Sequence, residues 1–147
     1  MSPLDRHVLA ERAAAIERHL RRVAEKLPPA PEDLQPATDV SDAVILHLWQ
    51  ATQIVLDLAM AACLELGLAT PGSYADAFLQ LGEGGILPEE LAKRLALAAG
   101  FRNVVAHMYQ RLDMVRVHRA AREGPEDLRA FVRILRDHLP ESPAATS

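Results

Sequence analysis

With 147 residues, half of them apolar and 24% charged, the chain is sized for one domain with one core, and its composition lies outside the disordered and membrane classes. A net charge of −4 argues, as an average, against a strong non-specific binder of nucleic acid, yet the charge is unevenly placed. Between Lys93 and Arg122 seven basic residues accompany one acid, a local balance of +6, and the remainder carries −10. Such a segment can draw phosphate, or it can be a solvated arginine-rich helix face. Charges recur every few residues from Met1 to Ala15 where a signal peptide needs an apolar run, and Asp57 interrupts the longest apolar stretch. A cytoplasmic protein without membrane attachment is therefore expected. Cys63, the one cysteine, lies among Ala61, Ala62 and Leu64. That setting suits a buried inert thiol and leaves no pair for a disulfide or a thiolate zinc site.

Helical spacing dominates the chain, and alternating strand patterns between turn residues are nearly absent. Leu9, Ile16, Leu20, Val23 and Leu27 predict an amphipathic helix from about Pro3 to Leu27, ended by Pro28, Pro29 and Pro31. An irregular connection leads to Asp39, whose carboxylate can cap a second helix reaching Leu66 and stopped by Gly67, with Asp42 favouring its positive end. Two apolar lines on that helix, Val44 to Ala62 and Ile45 to Cys63, make it the central one. A polar line, His47, Gln50, Gln53 and Asp57, is either its solvated edge or the lining of a site. Ser73 can cap a short helix to about Leu81, and Gly82, Gly84 and Gly85 form a turn. Pro88 opens another helix that Gly100 ends or kinks. A further helix is expected from Phe101 to Arg122, a break at Gly124 and Pro125, and a last helix carrying Leu128, Phe131, Val132 and Leu135. The expectation is an all-α, up-and-down bundle of about five to six helices occupying residues 1–140, followed by a disordered tail, 141–147.

On a helical wheel starting at Arg102, the apolar Val104, Val105, Met108, Leu112 and Val115 gather near roughly 250°, and Arg102, Asn103, His107, Tyr109, Gln110 and Asp113 occupy the opposite arc. Arg102 and His107 lie about 7.5 Å apart along the axis, at opposite margins of that arc. They can flank one phosphate only if the arginine reaches across or a second copy supplies the missing partner. The set suits phosphodiester cleavage in RNA: a histidine can move a proton at the ribose 2′-hydroxyl or the leaving oxygen, and an arginine can stabilise charge on the phosphoryl oxygens. No metal-ligand spacing such as HExxH surrounds His107, so neither a metal nor a cofactor is expected. An exposed face with a lone histidine carries the same residues.

The string GFRNVVAHMYQRLD, Gly100 to Asp113, resembles the R-N-x3-H-x-Y motif of HepT-like proteins in the HEPN superfamily, with Arg102, Asn103, His107 and Tyr109 in the motif positions. Leu56 to Ala59, Ser73 to Phe78 and the GGILPEELAKRLALAAGF run extend the likeness over roughly residues 5 to 138. The resemblance implies a HEPN-like bundle and a ribonuclease toxin acting as a homodimer, with Arg102, Asn103 and His107 catalytic. It also implies a nucleotidyltransferase-fold antitoxin of the MntA type, with which larger hetero-oligomers can form, and which adds AMP groups to Tyr109. Arg111, Arg116 and Arg119, with Asp57, are the candidate RNA contacts. A non-catalytic HEPN subunit that binds nucleotide or substrate for a nucleotidyltransferase is the alternative, and a purely structural adaptor leaves the basic arc unexplained.

Overall fold

A computed structural model describes residues 4–141, and within it five α-helices form without a strand. Helix α1 spans Arg6–Lys26, starting where the Asp5 carboxylate accepts from the Val8 N–H at 2.9 Å and ending before Pro28. After a 3₁₀ turn at Pro31–Asp33, α2 runs over Asp39–Glu65. Its cap is Thr38 in a reciprocal pairing with Ser41, not Asp39, which already sits in the first turn. The helix ends before Gly67, whose φ of 73° suits glycine. Helix α3, Tyr74–Glu83, is capped by Ser73, and α4, Glu89–Met108, follows Pro88. A 3₁₀ turn at Tyr109–Arg111 leads to α5, Met114–Arg136, whose cap is Asp113. The tail expected to be disordered falls, from Ser142 onward, outside the described residues, as does Pro3.

Three expected boundaries are corrected. Gly100 neither ends α4 nor separates it from the motif, because buried Ala99 and Val105 dock the helix on both sides of it and outweigh the roughly 1 kcal/mol that an interior glycine costs. The expected helix from Phe101 to Arg122 does not exist as one element. It is broken at Tyr109–Asp113, where the Asp113 carboxylate takes the Val115 N–H at 2.9 Å and starts a new helix. Gly124 and Pro125 do not break α5, since buried Ala121 before them and Leu128 and Phe131 after them fix its course and offset the hydrogen bond that proline forfeits.

Helix α2 packs against all four other helices. Val44, Leu48, Ala51, Val55, Leu58 and Ala62 are buried along one line, with Ile45, Leu56, Ala59 and Cys63 beside them. By length and composition α2 would also pass for a membrane-crossing helix despite Asp57, but half of its most apolar stretch is covered by its neighbours. The larger core joins α1, α2, α3, α4 and the second half of α5, with Phe78 and Phe131 edge to face at 5.7 Å. A smaller one gathers Val23, Leu34, Val44, Ile45, Leu48, Val105, Val117 and Ala121, and so clamps the motif-bearing end of α4 to α2 and α5. Close approach of α3 to α4 requires Gly82, where an added Cβ would stand 2.9 Å from that of Ala92. Burial pushes the Cys63 thiol above its ordinary pKa, with the charge of Asp76 adding to it, as expected for an inert cysteine.

Between α1 and α2 the Nδ1 atoms of His19 and His47 meet at 3.0 Å. Burial, then His47, then Arg18 hold His19 below its usual pKa. A histidine with a depressed folded pKa adds nothing above its unfolded value and penalises the fold as pH falls below it, because the unfolded chain binds the proton more readily. Thermal unfolding should therefore shift to lower temperature as pH falls below about 6.5. In His19→Gln that acid-side decline should be shallower, as followed by circular dichroism across pH 5 to 8.

Candidate active site

Arg102 lies in the last two turns of α4, half-buried, and its guanidinium is held from three directions. Its Nε–H donates to Gln53 Oε1 at 2.8 Å, its Nη1 donates to Asn103 Oδ1 at 3.2 Å, and its Cζ stands 5.8 Å from the ring centres of both Trp49 and Tyr74. Gln53 is fixed in turn. Its amide nitrogen donates to Asp57 Oδ1 at 3.0 Å and to the Tyr74 hydroxyl at 3.3 Å, and that hydroxyl donates to Asp57 Oδ1 at 3.3 Å. Oriented amides and rings thus set the arginine before any ligand arrives, and none of these bonds uses Nη2. An open groove passes this point, lined by Asp57, Ser73, Tyr74, Arg102 and Asn103.

His107 is exposed one and a half turns further along α4, beside a second depression shared with Tyr109, Gln110 and Arg111. Tyr109, 43% exposed, donates its hydroxyl hydrogen to the carboxylate of Asp42 in the first turn of α2. That hydrogen bond chiefly, with partial burial and the charge of Asp42, pushes the phenol pKa up to about 12. Among the described residues no group of three or more His, Cys, Asp or Glu side chains comes together in the manner of a metal centre.

The sequence-derived candidates therefore separate. Arg102, Asn103 and Asp57 share one groove, and His107, Tyr109 and Arg111 share another. Arg116 and Arg119 line a third cavity with Arg94, Leu95 and Phe101 on a different side of α4. Ion pairs divide the basic segment further: Arg94 meets Asp127 at 3.0 Å, Lys93 meets Glu89 at 3.2 Å, and Arg116 stands 3.9 Å from Asp113. The single helix assumed for the wheel ends at Met108. Tyr109 and Leu112 lie beyond α4, Asp113 caps α5 and Val115 belongs to it, and Val104, placed on the core side, is 45% exposed. Gln53, Trp49, Tyr74 and Asp42 were not singled out as site residues from sequence. Gln53 and Asp57 stood in the polar line of α2, the one signal available, whereas nothing local marks Trp49 or Tyr74 as neighbours of Arg102.

The five-helix arrangement is the fold of a solved HEPN toxin, and Arg102, Asn103 and His107 lie at the end of α4, with Tyr109 in the turn that follows. A family profile described as Ribonuclease HepT-like matches residues 14–135, and the chain belongs to that family. It is 25% identical over 129 residues to the mRNA nuclease HepT of Shewanella oneidensis, covering 88% of this chain and 96% of the relative. The tri-AMPylated HEPN toxin of Shewanella oneidensis, solved in complex with an MNT antitoxin, superposes with a TM-score of 0.79 at 25% identity, over 88% of this chain and 96% of that one. YutE of Bacillus subtilis, a cytosolic protein of unknown function, shares the fold alone, with a TM-score of 0.76 at 19% identity over 94% and 92% of the two chains.

Proposed function

We propose that this chain is the toxin of a HEPN/nucleotidyltransferase pair. In this reading it is a metal-independent endoribonuclease that uses Arg102, Asn103 and His107 at a homodimer interface and is neutralised by adenylylation of Tyr109. The observation that carries the reading is the pre-set guanidinium of Arg102, fixed by Gln53 between Trp49 and Tyr74 on the same helix as an exposed His107. A structural arginine commonly ends in a carboxylate that neutralises it. This one is steadied by two neutral amide oxygens, of Gln53 and Asn103, and by two rings, which leave its full charge for an anion. His107 moves a proton at the 2′-hydroxyl or the leaving oxygen, Arg102 offsets the charge gathering on the phosphoryl oxygens, and Asn103 holds the arginine's outer edge. Cleavage then leaves a 2′,3′-cyclic phosphate. Arg102 and His107 border separate depressions, and a second copy facing the end of α4 supplies the missing half of each site. Arg111 extends the His107 side toward RNA, and Arg116 and Arg119 serve as outlying phosphate contacts. Asp57 acts on RNA through Gln53. The partner is an MNT-type nucleotidyltransferase, as in the Shewanella oneidensis complex, and the location is the cytoplasm.

The same separation of Arg102 from His107 favours one other reading, a non-catalytic subunit that binds nucleotide for its partner. RNA incubated with the purified chain, with and without EDTA, distinguishes them. Undiminished cleavage in EDTA ending in cyclic phosphate is expected, and no cleavage at all would leave the binding subunit. Tyr109→Phe is expected to cleave RNA and to resist the antitoxin with ATP. Inactivity as deep as that of His107→Ala would instead make Tyr109 part of the chemistry.

A further inference from the structure

We propose that Asp42 is the general base for nucleotidyl transfer to Tyr109, so that the toxin chain itself supplies a catalytic group for its own modification. The inference rests on the reading of Tyr109 as the acceptor. Three observations carry it. The Asp42 carboxylate accepts the hydrogen of the very oxygen that must become nucleophilic. It is free for that task, because the first turn of α2 is closed by Thr38 and Ser41, whose side chains satisfy each other's backbone N–H groups. Both residues are exposed, so a nucleotide held by a partner enzyme can approach the phenol from outside. His107 lies nearer in sequence and borders the same depression, but the hydroxyl is aimed at Asp42.

The chemistry requires such a group. A phenol whose pKa stands near 12 is almost wholly protonated at neutral pH, and the neutral oxygen is a weak nucleophile. In the step proposed, the Tyr109 oxygen attacks the α-phosphorus of ATP, the new bond from that oxygen to phosphorus forms, and the bond to the β-phosphate bridging oxygen breaks. Pyrophosphate leaves, and the phenolic proton passes to the Asp42 carboxylate as the bond forms. The same carboxylate that accepts the phenol's hydrogen bond in the resting state thus receives its proton in the transition state. Once the first AMP is attached, any further AMP would be accepted by a nucleotide hydroxyl, and Asp42 has no part in that transfer.

The test is a time course of intact mass for wild type and Asp42→Asn with the cognate nucleotidyltransferase, ATP and Mg²⁺, with peptide mapping of the product. Asparagine keeps an acceptor oxygen for the hydroxyl but cannot take its proton, and a circular dichroism melt verifies that the variant is folded. The first addition should slow by about 10²-fold or more. Its residual rate should climb with pH as phenolate forms, and later additions should proceed at the wild-type rate. Asp42→Glu should recover part of the loss. A first addition as fast in Asp42→Asn as in wild type, or faster, would overturn the proposal, the latter showing that the hydrogen bond only guards the phenol. Wild type modified elsewhere, or not at all, would instead overturn Tyr109 as acceptor and the role of Asp42 with it.

Discussion

His107→Ala is expected to lower RNA cleavage by about 10² to 10⁴-fold, the range lost when a positioned proton carrier is removed. The side chain is exposed at the end of α4 and makes no hydrogen bond among those described, so its loss should leave the stability within about 0.5 kcal/mol of wild type. Activity and stability are thereby uncoupled, which a melt and a cleavage assay on one preparation can verify. Undiminished cleavage in this variant would mean that His107 is not the proton carrier.

Arg102→Ala is expected to lower cleavage by about 10² to 10³-fold, the loss typical of removing one group that stabilises charge in the transition state. Here the neighbours make the sharper experiment. Gln53→Leu deletes the 2.8 Å bond to Nε and the links to Asp57 and Tyr74 while leaving the arginine charge in place. A guanidinium that is present but no longer aimed should cost roughly 10 to 10²-fold, between wild type and Arg102→Ala. Arg102→Lys should be no better than Gln53→Leu, because an ammonium has neither the Nε–H nor the planar face that meets Trp49 and Tyr74. Single-turnover rates on a short RNA would order the four proteins. Equal activity in wild type and Gln53→Leu would mean that the arginine is not pre-set by this network.

How far each feature could be read from sequence follows from the distance along the chain over which it is decided. The apolar lines of α1 and α2 are local, and all the positions assigned to the central line of α2 are buried. The motif was legible as a string for the same reason. The ends of α4 and the course of α5 were not, because Gly100, Gly124 and Pro125 are ordinary helix breakers whose effect is overridden by buried neighbours from other helices. The supports of the motif were the least legible. Gln53 is 49 residues from Arg102, Tyr74 is 21 from Gln53, and Asp42 is 67 from Tyr109, so no helical spacing connects them. The polar line of α2 carried part of that information, in Gln53 and Asp57, but only the packing of α4 and α3 against it distinguishes a site from a wetted edge.

A single mixing experiment tests most directly whether the cleavage site is shared between two copies. Arg102→Ala and His107→Ala, each nearly inactive alone, are unfolded together, refolded as a mixture and assayed on RNA. In a dimer whose sites each take Arg102 from one copy and His107 from the other, every mixed dimer holds one intact site and one doubly defective one. A statistical mixture should then recover about a quarter of wild-type activity. Recovery no greater than the average of the two separate variants, in a mixture shown by mass to contain the mixed dimer, would place both residues of a working site on one chain and contradict the account.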